Sequence, residues 1–306
     1  MSNNLPNIPQ VRFEDLPALP FDAIQKPLDD LLLATANLIE RSWPQKYAGN
    51  EDLKIYLLGS VKILANTYNS IRYLAADKPV NSDRKLEFSV SIPPLSRTIL
   101  DSLFTFVFIF DDPLNRILWY HKSGWRELVE EHQRYKSTYA NNPAWADYLA
   151  WGDALINHSR TSFHITEQEA AEPEKHVKWW LNPGKMIKHK DTSEERRNFL
   201  QYLNDWFYRN LSADSHLSWP GFARRSAHFL NLDEENRINI LKKYKSDCVM
   251  TTIVLMLSLL SEIEYEFQFG RAERLQYVWQ VISGYSGEAK ELYDLRYADK
   301  LSLKRD

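Results

Sequence analysis

The sequence predicts an all-α protein: a multi-helix bundle with a Pro-rich N-terminal arm and an irregular insertion near 166–191. Three observations carry that expectation. Gly (9) and Pro (14) together make about 7.5% of the 306 residues, against roughly 12% in average usage, so turns are few and elements long. Apolar residues recur at helical spacing through several long stretches. Helix starts are marked by a capping residue with Pro or an acid just inside: Asp112-Pro113, Asn142-Pro143, and Thr192-Ser193-Glu194-Glu195.

Residues 1–27 hold Pro6, Pro9, Pro17, Pro20 and Pro27 without a helical period and read as an extended arm. Residues 28–306 read as a single helical domain. Its first helix runs from Leu28 to Ser42 and its second from Glu51 to Ala76, with Ile55, Leu58, Val61, Ile63, Leu64, Tyr68, Ile71 and Leu74 along the apolar stripe. The linker Asp77 to Ser91 alternates Leu86, Phe88 and Val90, which suits a short extended piece. An apolar helix from Pro93 to about Phe110 follows, then one from Asp112 to about Lys136, then one from Asn142 to about His164. The TSEE run reads as a capping box opening a helix whose core face is Phe199, Leu200, Leu203, Trp206 and Phe207. A long helix from Asp233 to about Phe267 is broken by Gly270, and two helices, Arg271–Ile282 and Gly287–Tyr297, complete the chain.

Composition narrows the function. With 38 Lys and Arg against 41 Asp and Glu the formal charge is -3, which excludes a globally basic nucleic-acid coat but not a local basic groove. Cys248 is the sole cysteine, so neither an intramolecular disulfide framework nor a Cys-based zinc cluster is possible. No HExxH, Glu-x-x-His pair, phosphate-binding Gly-rich loop or GxSxG elbow occurs, so no metal or cofactor is expected. The start, MSNNLPNIPQ, lacks the basic and apolar regions of a signal peptide. The apolar run Cys248 to Leu260, between Asp247 and Glu262, is shorter than the roughly 18 residues of a membrane span. A cytoplasmic protein without membrane contact is the expectation.

The residues suited to chemistry lie at Tyr208-Arg209-Asn210-Leu211-Ser212-Ala213-Asp214-Ser215-His216. Three Arg-to-His pairs have comparable spacing: Arg116 to His121, Arg126 to His132, and Arg209 to His216. Only the last carries Asn after the Arg, and its seven-residue offset falls only about 20° short of two helical turns, on one face. Imidazole has the near-neutral pKa needed to take a proton from a ribose 2′-hydroxyl. Guanidinium supplies a fixed positive fork for a phosphate. Asn210 suits donation to a phosphoryl oxygen or orientation of the ring, with Ser212 or Ser215 assisting.

This Arg-Asn-x5-His pattern resembles the signature of the HEPN superfamily, all-helical proteins that include metal-independent RNases of toxin–antitoxin and anti-phage systems. Arg97-Thr98-Ile99-Leu100-Asp101 before Asp112-Pro113 is similar to an upstream element of a related bacterial helical family of unknown function, with Asp101 in place of the more usual Glu. The resemblance covers about residues 90–220. It implies an RNA endonuclease with His216 as acid/base and Arg209 as phosphate clamp, built at a homodimer interface, with a neighbouring partner protein possible. The alternative expectation is a non-enzymatic interaction or ligand-sensing protein in which Arg97, Asp101, Arg209 and His216 satisfy one another as a polar knot between helices. A second stretch bears on RNA: Lys178, Lys185 and Lys188 are interleaved with Trp179 and Trp180, a pattern suited to tracking phosphates and stacking bases. At least one of the two tryptophans should anchor the insertion to the core. Arg224 and Arg225 follow His216 closely enough to extend a basic lip.

Overall fold

Every regular element among the described residues is helical, and none is a strand. The computed structural model describes residues 21–76, 85–215, 219, 221–223, 226 and 234–302. The helices are α1 (Phe21–Arg41), α2 (Glu51–Ala75), α3 (Ile92–Ile109), α4 (Pro113–Tyr139), α5 (Ala146–Ser162), α6 (Glu167–Ala171), α7 (Pro173–His176), α8 (Pro183–Lys188), α9 (Glu194–Leu203) and α10 (Arg209–Ser215). They are followed by α11 (Glu234–Phe267), α12 (Ala272–Ser283), α13 (Gly287–Leu292) and α14 (Ala298–Ser302). Two π turns, Asn204–Tyr208 and Tyr293–Tyr297, join α9 to α10 and α13 to α14.

Several boundaries differ from the sequence expectation. Residues 21–27 belong to α1, with Pro27 inside it, so the extended arm does not reach Pro27; the rest of the arm lies outside the described residues. Pro27 donates no bond to the carbonyl four residues back, and the helix persists because Ile24, Leu28, Leu31, Leu32 and Ile39 are all buried. Lys85–Ser91 is a 3-10 helix, not an extended piece. Three alternating apolar residues without a neighbouring strand cannot hold a ladder, and Ser89 Oγ instead donates to Leu86 O at 2.5 Å. The insertion holds three short helices, α6 to α8, and α6 opens with a complete capping box between Thr166 and Glu169. Ser193, not Thr192, is the residue just before the helix of the TSEE run, and its carbonyl accepts the Arg197 N–H at 2.8 Å. The helix starts at Glu194, and the Thr192 hydroxyl donates to Met186 O at 3.0 Å.

The chain packs as two compact units within the stretch read as one helical domain. The larger takes residues up to Gly49, Lys54–Phe106 and residues from Gln201 on; the smaller takes Asn50–Leu53 and Val107–Leu200. At the centre of the larger unit runs α11, buried continuously from Thr252 to Glu264. The three hydroxyls within that buried stretch have partners: Thr252 Oγ1 meets Ser96 Oγ at 2.7 Å, Ser258 Oγ donates to Val254 O, and Ser261 Oγ accepts the Trp279 indole N–H at 2.9 Å. Helix α1 packs on α11 and α12. At the C-terminus of α2 the Lys245 ammonium donates to Ala75 O at 3.2 Å, where the helix dipole favours a cation. After Phe267 the backbone turns through Gly270 at φ +81°, a conformation that suits glycine.

One ion pair lies inside this core. Glu262 is fully buried and receives both Nε and Nη2 of Arg296, at 2.5 and 2.9 Å, with the Tyr297 hydroxyl at 3.1 Å. Its paired carboxylate lets α11 continue where a lone charge would end an apolar run. Leu86–Ile109 and Glu235–Phe267 are both long and apolar enough to cross a bilayer by length and composition. Shortness of the apolar run therefore does not exclude a span. What favours a core helix is that most of each stretch is buried within the protein.

In the smaller unit α4 and α5 pair as a helical hairpin. Trp125, Val129, Ile165 and Val177 form its core, and the Trp125 indole donates to Ile156 O at 3.2 Å. Gly152 allows α5 to approach α4, since a Cβ there would fall 2.5 Å from the His132 ring.

Arg296→Ala would leave the Glu262 carboxylate uncompensated in the core, at a cost of roughly 3–5 kcal/mol in urea unfolding. Replacing Glu262 and Arg296 together by Met should cost much less. A double variant as unstable as the single one would contradict the role assigned to the pair.

Candidate functional site

The site begins with a departure from α geometry. Between Asn204 and Tyr208 the helix widens to i→i+5 bonding, which rotates the following residues relative to a regular helix. Leu200, Leu203, Phe207 and Leu211 remain buried in one line. Trp206, expected on that core face, is instead 52% exposed. The wider turn lags behind the α period, so Phe207 takes the core position and Trp206 leaves it.

Tyr208 is held from two sides in the larger unit. The Arg97 guanidinium lies 3.4 Å from its ring centre, and the edge of Phe104 meets the ring at a centroid distance of 5.7 Å. Arg97 Nη1 also donates to Tyr208 O at 3.2 Å, while its Nε donates to Asp101 Oδ2 at 2.9 Å. The Arg97 side chain is 12% exposed and that of Asp101 49%. These two residues thus support the π turn, and the guanidinium is occupied.

Arg209 stands apart from that cluster. Its side chain is 75% exposed, and its nearest acid is Asp205 at 3.8 Å. Asp205 is engaged more closely elsewhere, accepting from Gln201 Nε2 at 2.7 Å and Asn204 Nδ2 at 3.1 Å. The Gln201 hydrogen bond, with smaller help from Asn204 and Arg209, holds its carboxyl below the usual carboxylate range. Of the four residues expected to form a knot, Arg97 pairs with Asp101 and meets Tyr208, while Arg209 is exposed and is not joined to them. His216, Arg224 and Arg225 lie outside the described residues.

Asn210 Nδ2 donates to Trp206 O at 3.2 Å, which helps satisfy the backbone around the π turn. Ser212 is half-buried. Ser215 Oγ turns back to donate to Leu211 O at 2.7 Å, so its proton serves the helix. Gly221 lies against the end of α10: a Cβ there would fall 2.2 Å from Ala213 O and 3.1 Å from Asp214 Cα. Only glycine permits that approach.

The other two Arg-to-His matches are structural. Arg116 is buried, its Nη1 and Nη2 donating to Phe108 O and Asp191 O, both at 2.6 Å. Arg126 donates to Glu130 Oε1 and Val177 O, both at 2.7 Å, and His132 Nε2 lies 3.0 Å from Asp153 Oδ1.

In the smaller unit the Lys–Trp insertion divides. Lys178, Lys185 and Lys188 are exposed. Trp180 packs edge-on against Phe108, Trp119 and Tyr120 at centroid distances of 5.4, 5.3 and 5.0 Å, and its backbone N–H donates to Ser123 Oγ at 2.6 Å. His189 closes the same cluster, its imidazole pushed below its ordinary value by burial and by the nearby Arg116. Trp180 is the anchor. Trp179 is exposed, with the Arg126 guanidinium 4.5 Å from its ring centre, so of the pair only Trp179 remains open to a base. No group of His, Cys, Asp and Glu suited to a metal occurs among the described residues.

The π turn and the exposure of Trp206 are what sequence reasoning missed; period analysis assumes a constant turn and has no signal for a local widening. Comparison of the chain with protein-family models, curated proteins and solved structures found no match.

The division of labour at Trp179 and Trp180 is measurable. Trp180→Ala should lower unfolding stability by about 3 kcal/mol, and Trp179→Ala by less than about 1 kcal/mol. Equal losses in a urea titration would contradict the anchoring assignment.

Proposed function

We propose that the chain is a metal-independent RNA endonuclease of HEPN type, with His216 as acid/base and Arg209 as phosphate clamp. The observation that carries this reading is the placement of Arg209. It is solvent-exposed on the helix leading to His216 and lies outside the polar cluster that occupies Arg97. A structural arginine would be saturated as Arg97 and Arg116 are; a phosphate clamp must be free to meet its ligand.

In this chemistry His216 takes the 2′-hydroxyl proton, the 2′-oxygen attacks the adjacent phosphorus, and the bond to the 5′-oxygen breaks as that oxygen is protonated. The products are a 2′,3′-cyclic phosphate and a 5′-hydroxyl. Arg209 stabilises the charge that grows on the phosphoryl oxygens. The proposal includes a homodimer, a role as a toxin or anti-phage effector, and a cytoplasmic location. Lys178, Lys185 and Lys188, with Trp179, are proposed to guide RNA.

A second reading, a non-enzymatic interaction or ligand-sensing protein, draws on Arg97 and Asp101. Arg97 is spent on Tyr208 and on Asp101, as in a purely structural cluster. The two readings part on one experiment. Unmodified RNA incubated with the protein in EDTA should yield cyclic-phosphate ends, His216→Ala should abolish cleavage, and Arg209→Ala should slow it about 10²–10³-fold. Both variants should keep nearly the wild-type melting temperature. A folded His216→Ala protein that cleaves at the wild-type rate removes the nuclease reading.

A further inference from the structure

Three large aromatic rings near α10 face solvent. Trp206 is 52% exposed, Trp219 76% and Phe222 50%. Trp206 sits in the π turn three residues before Arg209, and its carbonyl is tied to the Asn210 side chain. Trp219 and Phe222 form a ring pair of their own, at a centroid distance of 6.1 Å and an interplanar angle of 30°. Gly221, between them in sequence, is the residue packed on the Ala213 carbonyl. That contact brings both rings to the end of α10, with Arg209 and Trp206 at its beginning.

We propose that Trp206, Trp219 and Phe222 are base-stacking platforms on either side of Arg209, so that this face takes single-stranded RNA with unstacked bases. The inference rests on the nuclease reading for the identity of the polymer as RNA and adds the strand state that the site selects. Exposed apolar rings that gather in one region mark interaction sites, where singly scattered ones do not. Here they alternate with an open guanidinium and a side-chain amide, whereas a protein-docking face concentrates its apolar residues and depletes charge at the centre. Rings supply π faces to any base, and Arg209 meets the intervening phosphate. In a duplex the base faces are already stacked and cannot reach such platforms, so paired RNA is a poor ligand.

The test uses the full chain and two RNAs. A 2′-O-methyl oligouridylate, which lacks the attacking hydroxyl, reports binding by fluorescence anisotropy without being cleaved. Trp206→Ala, and Trp219→Ala combined with Phe222→Ala, should each weaken its binding about tenfold or more while the salt dependence stays unchanged. Trp206→Phe, which keeps a ring, should retain most of the affinity. Arg209→Ala should instead reduce the salt slope by about 0.7. A 2′-O-methyl duplex should bind more weakly than the single strand. Ring-dependent binding supports the inference whether or not unmodified RNA is cleaved, and absent cleavage then counts only against the nuclease reading. Cleavage together with aromatic variants that bind as wild type overturns the inference and leaves the nuclease reading intact. Absence of any single-strand binding, or equal binding of the duplex, overturns the inference.

Discussion

The arrangement around α10 depends on where one guanidinium is spent. Arg97 projects from α3 and engages Asp101, the Tyr208 carbonyl and the Tyr208 ring together. A π turn interrupts the regular ladder of backbone bonds and survives where side chains take up the displaced groups. With Tyr208 clamped between Arg97 and Phe104, the widened turn is the state in which Phe207 stays in the core. The same turn carries Trp206 and Arg209 outward. A support that is itself inaccessible thus determines which residues are accessible.

A second guanidinium plays a comparable part at the other π turn. Arg296 lies within Tyr293–Tyr297 and reaches the buried carboxylate of Glu262 on α11. Trp279 stacks on Tyr297 at a centroid distance of 5.2 Å, and its indole is anchored on Ser261. Polar groups inside an apolar helix are costly unless each finds a partner. Along α11, Thr252, Ser258, Ser261, Glu262 and Glu264 each have one, the last accepting from the Gly270 N–H at 2.9 Å. These directional contacts fix the rotation of α11 against its neighbours, which apolar contacts alone leave weakly specified.

Much of the helical framework was legible from residue spacing because burial and period agree along α2, α3 and α4. Val61, Leu64, Tyr68 and Ile71 of the stripe expected along α2 are buried, whereas Ile55 and Ile63 face solvent and Leu57, outside the expected stripe, is in the core. The Asp112-Pro113 and Asn142-Pro143 starts stand at or next to helix starts, although at Asp112 the side chain meets Asn115 and does not cap the backbone. Local signals were weaker where tertiary contacts compete. Thr192 had the capping pattern, but the helix begins one residue further on, just after Ser193. Pro27 looked like a helix start, yet the apolar face of α1 carried the helix through it. At the candidate site the residue types were legible and their grouping was not. The offset from Arg97 to Tyr208 is long-range, and no spacing rule reports that Arg97 joins Tyr208 while Arg209 faces water.

That separation is the central claim, and hydrogen–deuterium exchange along the chain tests it most directly. In Arg97→Ala the backbone amides of 204–215 should exchange faster than in the wild type, while those of α11 keep their protection. The loss should be local because the clamp supports one turn and not the core. Unchanged exchange at 204–215 in the folded variant would contradict the account, since the π turn, and the outward placement of Trp206 and Arg209 with it, would then stand without Arg97.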